Sequence, residues 1–509
     1  MKKIYNLISL VIIVLLLGAC SESFLEEKSP DKLTSGNYWR DKADAESGLA
    51  AAYSQLEGFV GWDPWQEGRP VVEYYRSDLI VPGADAFNYS WWTDLYNFSY
   101  TKGNYAIYLI WKYNYRGLNY ANQVIEKVGE MDESKISAAD KKQIVAEATF
   151  LRAYYHFKLL SHFSEIIIRD KAPAGNADLA KGLSPREEAW DFIIADLKAA
   201  ADDLILQHDG NNIGRATSGA ANAYLGRAYM YRAGEDAGNA STYIEEAGKA
   251  LKKVIDSGVY SLTEDFLGMF NGSNENSSES IFELQLSPVK DNGAKYDMWF
   301  QYFVGANEFG FWEEILGTPE LLTEMKKEGK IADGGNYDSR LYETVFFDDE
   351  YFNDEANPRV YGSTWKSRFG ENNSKITFRK YIPDVASKFT DRSAINHPLM
   401  RYADVLLLYA EVLNETGSTG DAIGYINQVR DKHGDMPAMT GTTKEEVKQQ
   451  IIHERVMEFT LECARFMDLR RWGMLAGRMQ ATGRNGFDAA KHSYLPIPED
   501  EVKTNPAID

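Results

Sequence analysis

Ile144-Val145-Ala146-Glu147-Ala148-Thr149-Phe150-Leu151-Arg152-Ala153-Tyr154-Tyr155-His156-Phe157-Lys158-Leu159 is the stretch that decides the fold class. Ile144, Ala148, Leu151, Tyr155 and Leu159 recur at steps of four, three, four and four, one face of a helix running from Asp140 to Phe163. Such a stripe needs neighbours to cover it, and the chain supplies them. Ser184 with Pro185 opens a second helix, striped by Trp190, Ile193, Ile194 and Leu197. Thr217 to Ala233 and Ser241 to Ser257 follow, the second closed by Gly258. Arg152-Ala153-Tyr154 is echoed mid-helix by Arg227-Ala228-Tyr229. Near the C-terminus Leu399 to Thr416 pairs with Thr419 to His433, and Thr443 to Leu461 with the segment around Phe466 to Ala476. Small residues such as Ala153, Ala228 and Ala410 stand where helices must approach closely. The expected fold is mostly α: a tetratricopeptide-like superhelix of about four helix pairs, its period broken by insertions.

Residues 258–398 read differently, as a loop-rich subdomain with a few short strands. Asn271-Gly272-Ser273-Asn274 is turn-forming, and Ile281 to Leu286 alternates like a strand. Phe59 to Tyr115 is distinct again, with an aromatic density that an apolar stripe does not need. It must pack as an aromatic subcore or display its rings.

The chain has 509 residues, 44% apolar and 13% aromatic, so it folds and buries a large core. A formal charge of −21 argues against nucleic acid as a partner, since phosphates call for a cationic face. Cys20 and Cys463 are the two cysteines, too few and too differently placed for a disulfide framework. Met1-Lys2-Lys3 followed by an apolar run to Leu17 is a signal peptide, too short to span a bilayer. Leu17-Gly18-Ala19-Cys20 resembles the bacterial lipobox, in which the cysteine is acylated and becomes the mature N-terminus. Loss of residues 1–19 removes Lys2 and Lys3 and no acid, taking the charge from −21 to −23. The divisions expected are 1–19 signal, 20–40 lipidated tether, 41–257 first two helix pairs and aromatic region, 258–398 insertion, and 399–509 C-terminal pairs.

Binding a neutral sugar takes flat rings against the pyranose face and polar groups on its hydroxyls. Asn88-Tyr89-Ser90-Trp91-Trp92-Thr93-Asp94 offers both on what reads as an extended loop, one ring buried and its neighbour outward. Tyr296 to Trp312 offers Tyr296, Trp299 and Trp312, with Asn307 and Glu308 between them. Trp62, Trp65 and Arg69 form a weaker third group, while Trp111 and Trp472 read as helix core. His453-Glu454 fails as a zinc-protease motif because Met457 stands where the second histidine is needed. Glu454, Arg455, Glu458, Glu462 and Arg465 read as ion pairs along a helix face. Asp348, Asp349, Glu350 and Asp354 lack calcium-loop spacing and read as a solvated acidic loop. Cys463 reads as a buried thiol on a helix. No metal or cofactor is called for.

A family resemblance covers nearly the whole chain in order. Trp111, Tyr115, Asn119 and Asn122, then Ala146 to Ala153, then Met400-Arg401-Tyr402-Ala403-Asp404-Val405-Leu406-Leu407-Leu408-Tyr409-Ala410-Glu411 resemble segments of the SusD/RagB nutrient-uptake lipoproteins. Ile423 to Arg430, His453-Glu454-Arg455, Phe466 to Trp472 and Tyr494-Leu495-Pro496-Ile497-Pro498 continue the likeness. It implies a non-catalytic lipoprotein on the outer-membrane surface. Such a protein captures a glycan or other nutrient oligomer and passes it to a SusC-like TonB-dependent transporter. A protein-binding repeat scaffold explains only the helices, and a glycoside hydrolase would need a carboxylate pair that nothing here singles out. If Cys20 carries the anchor, Cys20→Ala leaves the folded body intact but absent from the membrane fraction, as read by fractionation and immunoblot.

Overall fold

The computed structural model describes residues 38–56, 68–291, 294–296, 299–332, 335–390 and 393–508. Cys20 lies outside them, as do Trp62 and Trp65. Helix α1 (Lys42–Tyr53), α2 (Gly68–Tyr75), strand β1 (Ile80–Pro82) and α3 (Ser90–Asn97) lead into two long helices, α4 (Tyr105–Gly129) and α5 (Ala138–His162). α6 (Arg186–Asp203), α7 (Ser218–Glu235) and α8 (Ala240–Asp256) follow, each packed on the one before. Ser137 caps α5 by accepting from Asp140 N, and Thr217 caps α7 by accepting from Ala220 N. The stripe read from the sequence is the buried face of α5: Ile144, Ala148, Leu151, Tyr155 and Leu159 are all buried. The Arg-Ala-Tyr echo has a structural meaning. Arg152 reaches Asp196 of the next helix at 2.7 Å, and Arg227 reaches Asp404 at 2.5 Å.

The intervening block carries β2 (Ser280–Leu284), β3 (Ser287–Asp291), β4 (Ala294–Tyr296), α9 (Phe300–Val304), β5 (Ile315–Gly317), α10 (Pro319–Met325) and α11 (Ser339–Thr344). β6 (Val345–Phe346), β7 (Thr377–Phe378) and β8 (His397–Arg401) follow, with short helical turns at Gly268–Asn271 and Trp365–Phe369. These strands form four antiparallel two-stranded sheets, β1–β5, β2–β8, β3–β4 and β6–β7. In β2–β8, Ser280 faces Arg401 and Leu284 faces His397, so the chain returns beside the point where it left. The helical array therefore resumes without a gap. α12 (Tyr402–Glu415) packs on α8, where a Cβ at Gly248 would stand 2.8 Å from Val412. α13 (Thr419–Gly434), α14 (Lys444–Phe459), α15 (Arg465–Arg471) and α16 (Leu475–Ala481) follow.

Three expectations need correction. Residues 399–401 belong to β8 rather than to the helix, because Arg401 is extended (φ −118°, ψ 157°) and the helix starts at Tyr402. The partner of α14 is two short helices, α15 and α16, broken at Gly473 with φ +68°. Cys463 is on no helix. It sits half-buried in the turn between α14 and α15 at φ +60°.

Glu454, Arg455, Glu458 and Glu462 do not pair along a helix surface; they point inward. Arg401, 1% exposed, holds Glu462 at 2.8 Å, Glu458 at 2.7 Å and Glu279 at 2.5 Å. Arg340, also buried, holds Asp338 at 2.7 Å, Glu454 at 2.8 Å and Glu458 at 3.2 Å. Arg430 bridges Glu454 at 2.5 Å and Glu328 at 2.6 Å, and Lys380 closes on Glu462 at 2.8 Å. His433 lies 2.9 Å from Glu458 and 3.0 Å from Glu279. Arg455 and Arg465 look elsewhere, to Asp404 and Asp468 and to Asp78. Removing one partner from such a cluster leaves an uncompensated buried charge, at a cost of about 3–5 kcal/mol.

Burial works against a charge on His433, but Glu458 and Glu279 outweigh it and raise the imidazole to about 9. A raised cation contributes stability that is complete below its unfolded value of about 6.5 and lost as pH climbs through about 9. Urea unfolding at pH 6, 7.5 and 9.5 should show falling stability, with His433 accounting for up to about 3 kcal/mol of the loss. His433→Gln should flatten that portion of the slope.

Candidate functional site

The aromatic stretches are separate in sequence and adjacent in space. β1 pairs with β5, Val81 opposite Leu316, and Gly83 N donates to the Glu314 carbonyl at 2.8 Å. Gly83 has no room for a side chain, since its Cβ would sit 1.9 Å from the Glu313 carbonyl oxygen. The Tyr75 hydroxyl donates to the same Glu314 carbonyl at 2.7 Å. These bonds hold α3 beside α9.

Trp91 and Trp92 sit in the first turn of α3, not on an extended loop. Their rings are not sent to opposite sides but meet edge to face at 4.9 Å, because successive helical residues are separated by only about 100°. Trp92 is 3% exposed and packs against Tyr89 at 4.6 Å, Trp91 at 4.9 Å and Phe303 of α9 at 5.5 Å. Trp91 is half-buried, edge-on to Tyr105 at 5.5 Å. On the other side of the Trp92–Phe303 contact, Trp299 and Trp312 stack at 5.1 Å and 22°, with Tyr302 against both at 5.7 and 5.0 Å. Trp299, Trp312 and Tyr302 are all half-buried. The result is a wall of rings, anchored at Trp92 and Phe303 and open along Trp91, Tyr105, Tyr302, Trp299 and Trp312.

The polar candidates are largely used in shaping the wall. Asn88 is exposed and donates to Asp85 at 2.6 Å, while Asp94 accepts from Ser99 at 2.8 Å and braces the end of α3. Burial, with Asp85 and Glu314 close by, pushes the Tyr89 hydroxyl up. Lys375 ties Asn307 at 3.1 Å, Glu308 at 2.5 Å and Glu313 at 2.9 Å beneath the Trp312 loop. Tyr296 ends β4 opposite Ser287. Its side chain lies outside the description, as does that of Arg69 in the first turn of α2. Trp111 is buried and donates to Glu501 at 2.9 Å.

Sequence reading did not single out Phe87, 70% exposed, Tyr105, 39% exposed, or Tyr302. The signal available for Tyr105 was Asn104, whose side chain caps α4 and donates to the Trp91 carbonyl at 2.8 Å, fixing Tyr105 at the edge of the wall. Elsewhere, Asp349 is bound to Lys326 at the end of α10 and Asp354 to Arg359 of its own loop.

Two family models match side by side. One, described as the SusD family, covers residues 260–509. The other, described as "Starch-binding associating with outer membrane", covers 23–230. A SusD-like protein of Bacteroides ovatus is 24% identical, over 90% of this chain and 80% of its own. SusD-like protein P2 of Formosa agariphila is 25% identical over 99% and 98%. Among solved structures, a SusD superfamily protein of Bacteroides vulgatus superposes with a TM-score of 0.79 at 27% identity, covering 93% of this chain and 99% of that one. A laminarin-binding SusD-like protein superposes at 0.74 and 22% identity, covering 92% and 99%.

Trp92→Ala should cost about 3–5 kcal/mol of folding stability, since it opens a cavity between α3 and α9. Chemical denaturation of the soluble form beginning at Ser21 would measure it.

Proposed function

We propose, on the premise that the chain belongs to the SusD/RagB family, that its aromatic wall is a glycan-capture surface serving a membrane transporter. Proteins of this family bind and do not catalyse, and the family is associated with the outer membrane. The observation that carries the reading is the meeting of two tryptophan-rich stretches through Trp92 and Phe303. A row of half-exposed rings is what a pyranose chain needs, because the C–H faces of sugars shed water against flat apolar surfaces while their hydroxyls stay solvated.

On this reading Cys20 is acylated and residues 20–40 tether the body to the outer membrane. The chain then acts as a lid on a SusC-like TonB-dependent barrel, taking glycan from solution on the wall and releasing it into the transporter. Binding has to be moderate for that handover. Stacking on rings already held by the fold suits it, since little conformational entropy is lost on capture. Asn88, Tyr89 and Asp94 are proposed to contribute hydrogen bonds and edge contacts at one end of the wall, and Tyr296 is proposed as a further ligand contact.

The test is calorimetric titration of the soluble form with laminarin and with soluble starch. Trp312→Ala and Trp91→Ala should each weaken binding by about 1–3 kcal/mol, roughly five- to 150-fold, with little change in melting temperature. Full affinity in the double variant would remove the wall from the proposal. Release of reducing ends during the titration would contradict a purely binding role.

A further inference from the structure

The ring of Phe309, in the loop before Trp312, rests against Tyr361 at 5.1 Å. Tyr361 in turn forms one wall of a cavity of about 340 Å³ that the aromatic wall does not use. That volume lies within the range of small-molecule sites, about 300–1,000 Å³. Phe346, Ile382 and Pro383 supply apolar lining, and Arg359 and Arg379 supply cations among them.

The two arginines differ in what they have left to offer. Arg359 is engaged with Asp354 at 3.1 Å and the Tyr351 carbonyl at 2.9 Å, and it lies over the Tyr351 ring. Arg379 gives Nη1 to the Tyr342 carbonyl at 3.0 Å and lies over Phe346 at 5.5 Å. Among the described residues it has no carboxylate within ion-pair distance. The Glu343 carboxyl nearby does not neutralise it fully: burial pushes that group up to about 7 against the pull of Arg379, and its Oε2 finds no donor. Asp384 at the rim is occupied by Lys388 at 2.8 Å. Arg368, exposed and donating to Ser363 at 3.2 Å, adds a further cation beside Gly362 of the cavity. On a chain of net charge −21 this mouth is locally positive.

We infer that this cavity is a second carbohydrate site and that it takes an anionic sugar residue. Its carboxylate or sulfate group meets the Arg379 guanidinium while its ring lies against Tyr361. A guanidinium with donors to spare recognises a carboxylate or a sulfate through paired, charge-assisted hydrogen bonds. Half of the cavity is apolar, which suits a sugar ring better than a bare inorganic anion. That the ligand is a sugar rests on the family reading; that it is an anion rests on Arg379 alone.

The soluble form beginning at Ser21 would be titrated calorimetrically with glucuronic acid, with glucose 6-sulfate and with glucose. Binding of either anion at least ten-fold tighter than glucose is expected, and which of the two prevails tells a uronate from a sulfated residue. Arg379→Gln should weaken that binding ten-fold or more, and Arg379→Lys should restore part of it. Trp312→Ala should leave it unchanged, which separates this site from the wall. Should Arg379→Gln fold poorly, Ala386→Trp, at an exposed rim position, would close the mouth without touching the arginine and should abolish binding. Equal affinity for glucose and the anions, binding that survives both Arg379→Gln and Ala386→Trp, or loss in Trp312→Ala would each overturn the inference.

Discussion

A guanidinium removed from water has to find carboxylates within hydrogen-bonding reach, and at Arg401 this requirement organises the molecule. Arg401 ends the strand that closes the intervening block, and its partners come from both sides of that closure. Glu279 directly precedes β2, Glu458 is on α14, and Glu462 is in the turn after it. The charges are satisfied only when β2, β8 and α14 are in place together. Arg340 and Arg430 extend the same constraint to α11 and α13 through Glu454. Such networks add little net stability over apolar packing, yet any arrangement that leaves one member unpaired is strongly disfavoured. The network thereby selects one geometry for a block whose strands are short and paired only two by two.

The same logic carries the C-terminal helices to the aromatic wall. Asp78, buried just before β1, is held by Arg465 at 2.9 Å and Arg478 at 2.8 Å, which outweigh its burial and keep its carboxyl below the usual range. Arg484 donates to the carbonyls of Tyr75, Ser77 and Tyr96, bracing both α2 and α3. The Tyr74 hydroxyl donates to the Leu461 carbonyl at 2.6 Å, in the turn that also holds Glu462. The N-terminal half of the wall is thus clamped by arginines from the far end of the chain, and the other half is clamped to it by β1–β5. Rings fixed this way can present a surface without first paying to order it.

Wall and cavity differ in their electrostatics. Beside the wall, Lys375 is consumed by Glu308 and Glu313. At the cavity behind Phe309 the balance is reversed, with Arg379 underused. On the two proposals, a neutral chain and an anionic residue would be sorted by which side chains have already been paired within the protein.

Much of this was legible in the chain alone. The stripe of α5, the stop at Gly258 and the pairing of successive helices follow from a 3.6-residue period, a local property that survives any tertiary context. The concentration of rings near Trp91 and Trp299 was equally plain, because a soluble chain does not accumulate tryptophan without packing it or using it. Three things were not legible. Glu454, Glu458 and Arg465 have helical spacing, so a surface pairing was the economical reading, and only long-range partners show that they point inward. Trp91 and Trp92 were read on an extended loop that sends neighbours to opposite sides, when a helical turn brings their rings into edge contact. And no period in either stretch records that Trp92 meets Phe303. Sequence by itself determined which faces are apolar and which segments are rich in rings, since those depend on neighbours a few residues away. Tertiary structure alone decided which charges neutralise each other and which rings stay open, because burial and charge compensation depend on atoms brought together from opposite ends of the chain.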